Sequence, residues 1–82
     1  MSIDLENKVV ILTGAGGGIG RAIAVKLASE KLRIVLLGGN NITKLNDTAH
    51  LVEKYSSCMV LPGDLTSEDF IDQSVRQVAE HI

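Results

Sequence analysis

Aromatic side chains are almost absent from this chain: one Tyr, one Phe and no Trp among 82 residues. A core of stacked rings is thereby excluded, and the 45% hydrophobic content must pack as Val, Ile, Leu and Ala. That composition suits parallel strands covered by helices on both faces. A single cysteine, Cys58, rules out an internal disulfide and implies a reducing, cytoplasmic setting. Because Cys58 stands beside Met59, Val60 and Leu61, it reads as a buried small hydrophobe and not a nucleophile. No cluster of Lys or Arg accompanies the net charge of −2, so nucleic-acid binding is not expected. The longest apolar runs are far shorter than the roughly 20 residues that cross a bilayer, so no membrane partner is expected either. The start, Met1-Ser2-Ile3-Asp4-Leu5-Glu6, has neither the basic nor the apolar region of a signal peptide.

Three short apolar runs alternate with three helical patterns, with no repeat, linker or low-complexity stretch between them. Lys8 to Thr13 reads as a strand, followed by a helix from about Ile19 to Lys31 with Ile23, Ala24, Leu27 and Ala28 on its apolar face. Arg33 to Leu37 is apolar throughout after its first residue, as a strand buried on both faces should be, and Gly38-Gly39-Asn40-Asn41 is a turn by composition. Ile42, Leu45, Ala49 and Val52 then mark a second helix with Asn41 as its N-cap. Cys58 to Leu61 forms a third strand, closed by Pro62-Gly63. Thr66 with Asp69 resembles a capping box, and a third helix is expected from about Ser67 to the C-terminus. Its apolar stripe is Phe70, Ile71, Ser74/Val75, Val78 and Ile82.

The order β-α-β-α-β-α implies right-handed crossovers between parallel strands. The expected fold is α/β and three-layered: the N-terminal half of a Rossmann doubly wound parallel sheet, strand order 3-2-1. In the complete fold the first strand is central. Ending after the third helix leaves it an edge, and an apolar edge strand is a pairing hazard. The expectation is therefore that residues 1–82 are a partial Rossmann domain whose second half is absent.

Between the first strand and the first helix lie five glycines in seven residues, Gly14 to Gly20. A P-loop is excluded, because Arg21-Ala22 follows Gly20 and Ala15 stands five residues before it. The G-x-G-x-x-G spacing from Gly14 also fails, since it demands glycine at Ile19. What fits is Gly14-x-x-x-Gly18-x-Gly20. On that spacing Gly14 turns the chain out of the strand and Gly18 admits a pyrophosphate without a Cβ in the way. Gly20, inside the first helical turn, permits close helix-to-strand packing. The N–H groups near Gly18 and Ile19, with the helix dipole behind them, would face the anion.

The run Thr13-Gly14-Ala15-Gly16-Gly17-Gly18-Ile19-Gly20-Arg21-Ala22-Ile23-Ala24 resembles the cofactor turn of the short-chain dehydrogenase/reductase family. The likeness extends to the opening Leu5-Glu6-Asn7-Lys8-Val9-Val10-Ile11-Leu12-Thr13 and to Gly63-Asp64-Leu65-Thr66 after the third strand. The resemblance implies an NAD(P)-linked oxidoreductase that moves a hydride between nicotinamide and an alcohol or carbonyl carbon. It further implies that Gly14, Gly16, Gly17, Gly18 and Ile19 line the pyrophosphate and adjoining ribose. Asp64 would accept from the adenine amino group, and Leu65 would offer backbone atoms nearby.

The place that normally decides the cofactor, at the end of the second strand, carries Gly38 and Gly39 instead of an acid or an Arg. Without an acid nothing repels a 2′-phosphate, and Asn40, Asn41, Thr43 or Lys44 could donate to it. Gly17, however, supplies none of the basic side chains that NADP-preferring relatives often place in the turn. The expectation leans slightly to NADP over NAD, with Gly39 and Asn40 at the ribose. The family's Tyr-x-x-x-Lys pair, Ser and Asn lie in the half-fold beyond this sequence. Tyr55, followed four residues on by Met59, is a helix-end residue, so no catalytic residue is assigned and the chain alone is expected to be inactive. His50 and His81 have no ligand-spaced neighbours, and no metal is expected. A small-molecule substrate belongs only to a complete protein. The alternative is a non-catalytic dinucleotide-binding module that dimerises through its first-strand edge into a homo-oligomer. A methyltransferase half-domain is disfavoured by Gly38-Gly39 and by Asp64-Leu65.

Overall fold

The computed structural model describes residues 7–39 and 41–81. The opening Met1–Glu6, with the Leu5-Glu6 part of the family-like start, lies outside the described residues, as do Asn40 and Ile82. The chain runs β1 (Val9–Thr13), α1 (Gly18–Ala28), β2 (Arg33–Leu37), α2 (Ile42–Val52), β3 (Ser57–Leu61) and α3 (Glu68–Glu80). Both strand pairings are parallel, in the order β1-β2-β3, which is 3-2-1 read from the other edge. Thr13 is level with Leu37, and Leu37 with Leu61, so all three strands end on one line.

Strand alternation divides the side chains between two layers. Val10, Leu12, Ile34, Leu36, Cys58 and Val60 face a cluster built with Ala24 and Ala28 of α1 and Leu45, Ala49 and Val52 of α2. The opposite sheet face, which includes Val35 and Met59, shares a pocket with Val78 and His81 at the end of α3. Ile34, Val35, Leu36 and Leu37 of the central strand are all buried, as their unbroken apolar run requires. β1 is an edge strand, paired only with β2 among the described residues, and its Ile11 is 45% exposed.

The helical stripes are narrower than their sequence pattern suggests. In α1 the two alanines are buried, while Ile23 is 48% exposed. In α2 Ile42 is exposed and Thr48 is wholly buried on the Leu45 face. In α3 the buried pair is Ser74 and Val78, with Val75 54% exposed. α1 also ends at Ala28 and not near Lys31, which has a left-handed φ of 58°. There the Ser56 hydroxyl donates to Ala28 O at 2.6 Å and accepts the Leu32 N–H at 2.8 Å, closing the far end of the sheet.

Asn41 caps α2 as expected, its Oδ1 accepting the Lys44 N–H at 3.0 Å. The capping box at Thr66 and Asp69 is not formed. Ser67 is the N-cap of α3, its Oγ accepting the Phe70 N–H, because the Thr66 hydroxyl is engaged by Asp64 instead. No helix among the described residues is long and apolar enough to cross a membrane.

Leu36 is fully buried at the centre of the sheet, so Leu36→Ala is expected to lower unfolding free energy by about 2–5 kcal/mol, read from urea denaturation. Burial, and secondarily the charge of Glu53, pushes the Cys58 thiol up to about 11. The raised value favours the folded state while the unfolded thiol stays protonated. Stability from this group is therefore complete below the ordinary thiol range and falls as pH climbs through it toward about 11. A urea midpoint followed across that range should fall more steeply for the native protein than for Cys58→Ala.

Candidate functional site

The three loops leaving the C-terminal ends of the strands come together. Gly14, with φ 69°, turns the chain out of β1, and Gly17 in extended conformation opens α1. Gly17 donates to Gly14 O at 3.3 Å, and its own carbonyl accepts the Arg21 N–H at 2.8 Å. α1 folds back so tightly that a Cβ on Gly20 would collide with the Gly14 carbonyl and lie 2.9 Å from the Ala15 Cα. The close approach that Gly20 permits is thus to the turn itself more than to the strand. Around Gly18, by contrast, no atom lies near the position of a Cβ.

Both other helices receive a side-chain cap, whereas α1 has no side-chain cap and no acid in its first turn. The donors at its N-terminus therefore keep their capacity for an external acceptor. Ile19, beside them, is 82% exposed.

A cavity of about 240 Å³ lies between this turn and the end of β2, lined by residues that include Gly14, Gly16, Gly17, Gly39, Asn41 and Lys44. It is smaller than the ~300–1,000 Å³ typical of a complete ligand pocket, as befits one part of an extended site. Gly18 and Ile19 do not line it. They begin a broader, open trough of about 550 Å³ along Ala22, Ile23, Lys26 and Leu27.

Gly38 and Gly39 both take left-handed conformations, φ 82° and 101°. Gly39 donates to Gly63 O at 2.9 Å, tying the end of β2 to the loop after β3. Leu65 lies directly over Gly38, where any Cβ would strike its side chain. This contact and the Gly39–Gly63 bridge hold the Asp64-Leu65 segment at the same end of the sheet as the turn. Asp64 and Leu65 do not line this cavity, although Leu65 touches Gly38, which does.

Asp64 Oδ1 accepts both the Thr66 hydroxyl at 2.7 Å and the Thr66 N–H at 2.9 Å. The hydroxyl first, and then the N–H, hold the Asp64 carboxyl below its usual range. With Oδ1 engaged twice, Oδ2 is the atom left to accept from a ligand. The expected site residue Asn40 lies outside the described residues.

A polar cluster that the sequence reading passed over joins α1, the turn and α2. Arg21 donates through Nε to Thr48 Oγ1 at 2.9 Å and through Nη2 to Lys44 O at 3.0 Å. Thr48 donates in turn to Ala15 O at 2.8 Å. The available signal was Thr48 at three residues from Leu45, a hydroxyl on the buried face.

No described group of three His, Cys, Asp or Glu side chains could hold a metal. Tyr55 is 62% exposed beyond the end of α2, remote from the strand ends that carry the turn. The residues present fit a nucleotide diphosphate by their chemistry: unpaired helix N–H donors, a bare backbone, and Lys44 at the cavity wall.

The comparisons with known proteins agree with this geometry. An uncharacterized oxidoreductase of Bacillus subtilis (strain 168), YhdF, is 36% identical over 78 residues, 94% of this chain and 27% of the relative. An uncharacterized oxidoreductase of Staphylococcus aureus (strain USA300) is 39% identical over 72 residues, 88% of this chain and 30% of the relative. The crystal structure of L-sorbose reductase from Gluconobacter frateurii, complexed with NADPH and L-sorbose, superposes with a TM-score of 0.81 at 30% identity. It is matched over 95% of this chain and 31% of its own. The chain thus spans less than a third of the length of these relatives. Residues 8–82 match the sequence profile described as short chain dehydrogenase, and the chain belongs to that family.

Proposed function

We propose that residues 1–82 are the dinucleotide-binding segment of an NAD(P)-dependent short-chain oxidoreductase, and that the catalytic groups belong to a further segment. The observation that carries this reading is the uncapped N-terminus of α1 behind a side-chain-free turn, at the strand ends where α/β proteins bind nucleotides. In it, Gly14, Gly16, Gly17, Gly18 and Ile19 line the pyrophosphate and adjoining ribose. The N–H donors of Gly18 and Ile19 orient the diphosphate with the helix dipole. Asp64 Oδ2 accepts from the adenine amino group, while Thr66 keeps that carboxylate charged and fixed. Leu65 packs on Gly38 and flanks the base. When bound, the nicotinamide supplies hydride exchange with an alcohol or carbonyl carbon.

NADP is the better fit. Gly39 has no carboxylate to repel a 2′-phosphate, and Asn41 and Lys44 stand on the same cavity wall. Asn41 already spends its Oδ1 on the α2 cap, which leaves its amide nitrogen and the Lys44 ammonium as donors. The NADPH-bound state of the similar L-sorbose reductase supports this choice.

Fluorescence titration of the purified protein with NADPH and NADH tests both statements. NADPH is expected to bind tighter, equal affinities would remove the preference, and binding of neither would remove the reading. Lys44→Ala should weaken NADPH about tenfold, the worth of one charge-assisted contact, and leave NADH within about twofold. Asp64→Ala should weaken both cofactors alike. The 82-residue polypeptide alone is expected to show no turnover of alcohols or ketones. Measurable hydride transfer by it would place catalytic groups within this chain.

A further inference from the structure

Thr48 is wholly buried, 33 residues from the carbonyl it serves, and no ligand-facing surface explains its hydroxyl. That hydroxyl has one proton. Two carbonyls lie within reach, Ala15 O at 2.8 Å and Lys44 O at 3.2 Å. The shorter contact takes the proton, so it goes to Ala15 O, while Lys44 O keeps Arg21 Nη2 as a donor. The Arg21 Nε–H then fills a lone pair of the same hydroxyl, which fixes the direction of the proton.

The Ala15–Gly16 peptide is planar and trans, so its N–H points opposite to its C=O. With the Ala15 carbonyl turned inward onto Thr48, the Gly16 N–H is turned outward. Among the described residues that N–H makes no backbone hydrogen bond. Gly16 also lies hard against α2, its Cβ position 3.3 Å from the Lys44 Cβ.

We propose that Thr48 and Arg21 are positioning residues that orient the Ala15–Gly16 peptide so that the Gly16 N–H serves as a donor to the cofactor's diphosphate. This rests on the dinucleotide reading above. The two residues touch no cofactor themselves. They act by removing the freedom of a peptide that the surrounding glycines would otherwise leave loose. The second Arg21 bond, to Lys44 O, ties the start of α2 to the same unit, so the diphosphate donors and the Lys44 wall keep their separation.

The test compares Thr48→Val, which keeps the shape and removes the hydroxyl, with Thr48→Ser, which restores it. The probes are ADP, which carries the diphosphate, and adenosine 2′-phosphate, which does not. Thr48→Val is expected to raise the Kd for ADP about tenfold and leave that for adenosine 2′-phosphate within about twofold, with Thr48→Ser recovering ADP binding. Arg21→Gln, a surface-accessible change less prone to disturb the core, should give a smaller loss in the same direction. In the protein without ligand, the Gly16 amide resonance should move in Thr48→Val and return in Thr48→Ser. Equal losses for both probes, or unchanged ADP binding with the Gly16 resonance in place, would overturn the proposal. Native protein that binds neither NADPH nor ADP would overturn the dinucleotide reading itself, a result separable from the behaviour of the variants.

Discussion

The contact of α1 with its own turn at Gly20 is the constraint on which the rest of the site depends. With no Cβ at that position, the first helical turn settles against Gly14 and Ala15, and the axis of α1 is set relative to β1. That placement puts Arg21 within reach of Thr48 and Lys44, and brings α2 alongside the turn. It also leaves the N-terminal donors of α1 facing out at the strand ends, where Gly38, Gly39 and the Asp64 loop arrive on the same level. One missing side chain thus determines both a packing distance and the position of an uncapped helix end.

Much of the fold was legible because its signals are local. The apolar runs at β1, β2 and β3 are bounded by Gly, Pro and Asn, and their alternation with helical periodicity leaves few topologies open. The Asn41 cap was legible for the same reason, since a cap is satisfied within one helical turn. The Thr66–Asp69 box failed because Asp64 competes for the Thr66 hydroxyl from only two residues away, and Ser67 supplies the cap. The apolar stripes overreached in another way. Periodicity says which residues share a face, and coverage by neighbouring elements decides how much of that face is buried. Ile23, on the expected stripe of α1, lies where no described element covers it and remains 48% exposed.

The glycine turn was legible as a strand-to-helix turn, but its internal wiring was not. The Thr48–Ala15 bond joins positions 33 residues apart, and nothing about a threonine in a helix announces a distant carbonyl partner. Leu65 shows the same limit. Its place beside Asp64 is a short-range motif, while its seat on Gly38 depends on how β2 and β3 pair.

The seat of Leu65 on Gly38 also restricts how cofactor choice could evolve or be redesigned in this scaffold. An acid at position 38 would have to displace the Leu65 side chain, and one at position 39 would have to hold a left-handed backbone at φ 101°. Neither change is available as a single step at no cost to the fold. A lineage moving toward recognition of an unphosphorylated ribose would first have to remodel the loop that Leu65 anchors. In this chain, the residues at positions 38 and 39 are held by mechanical interlock as well as by backbone conformation.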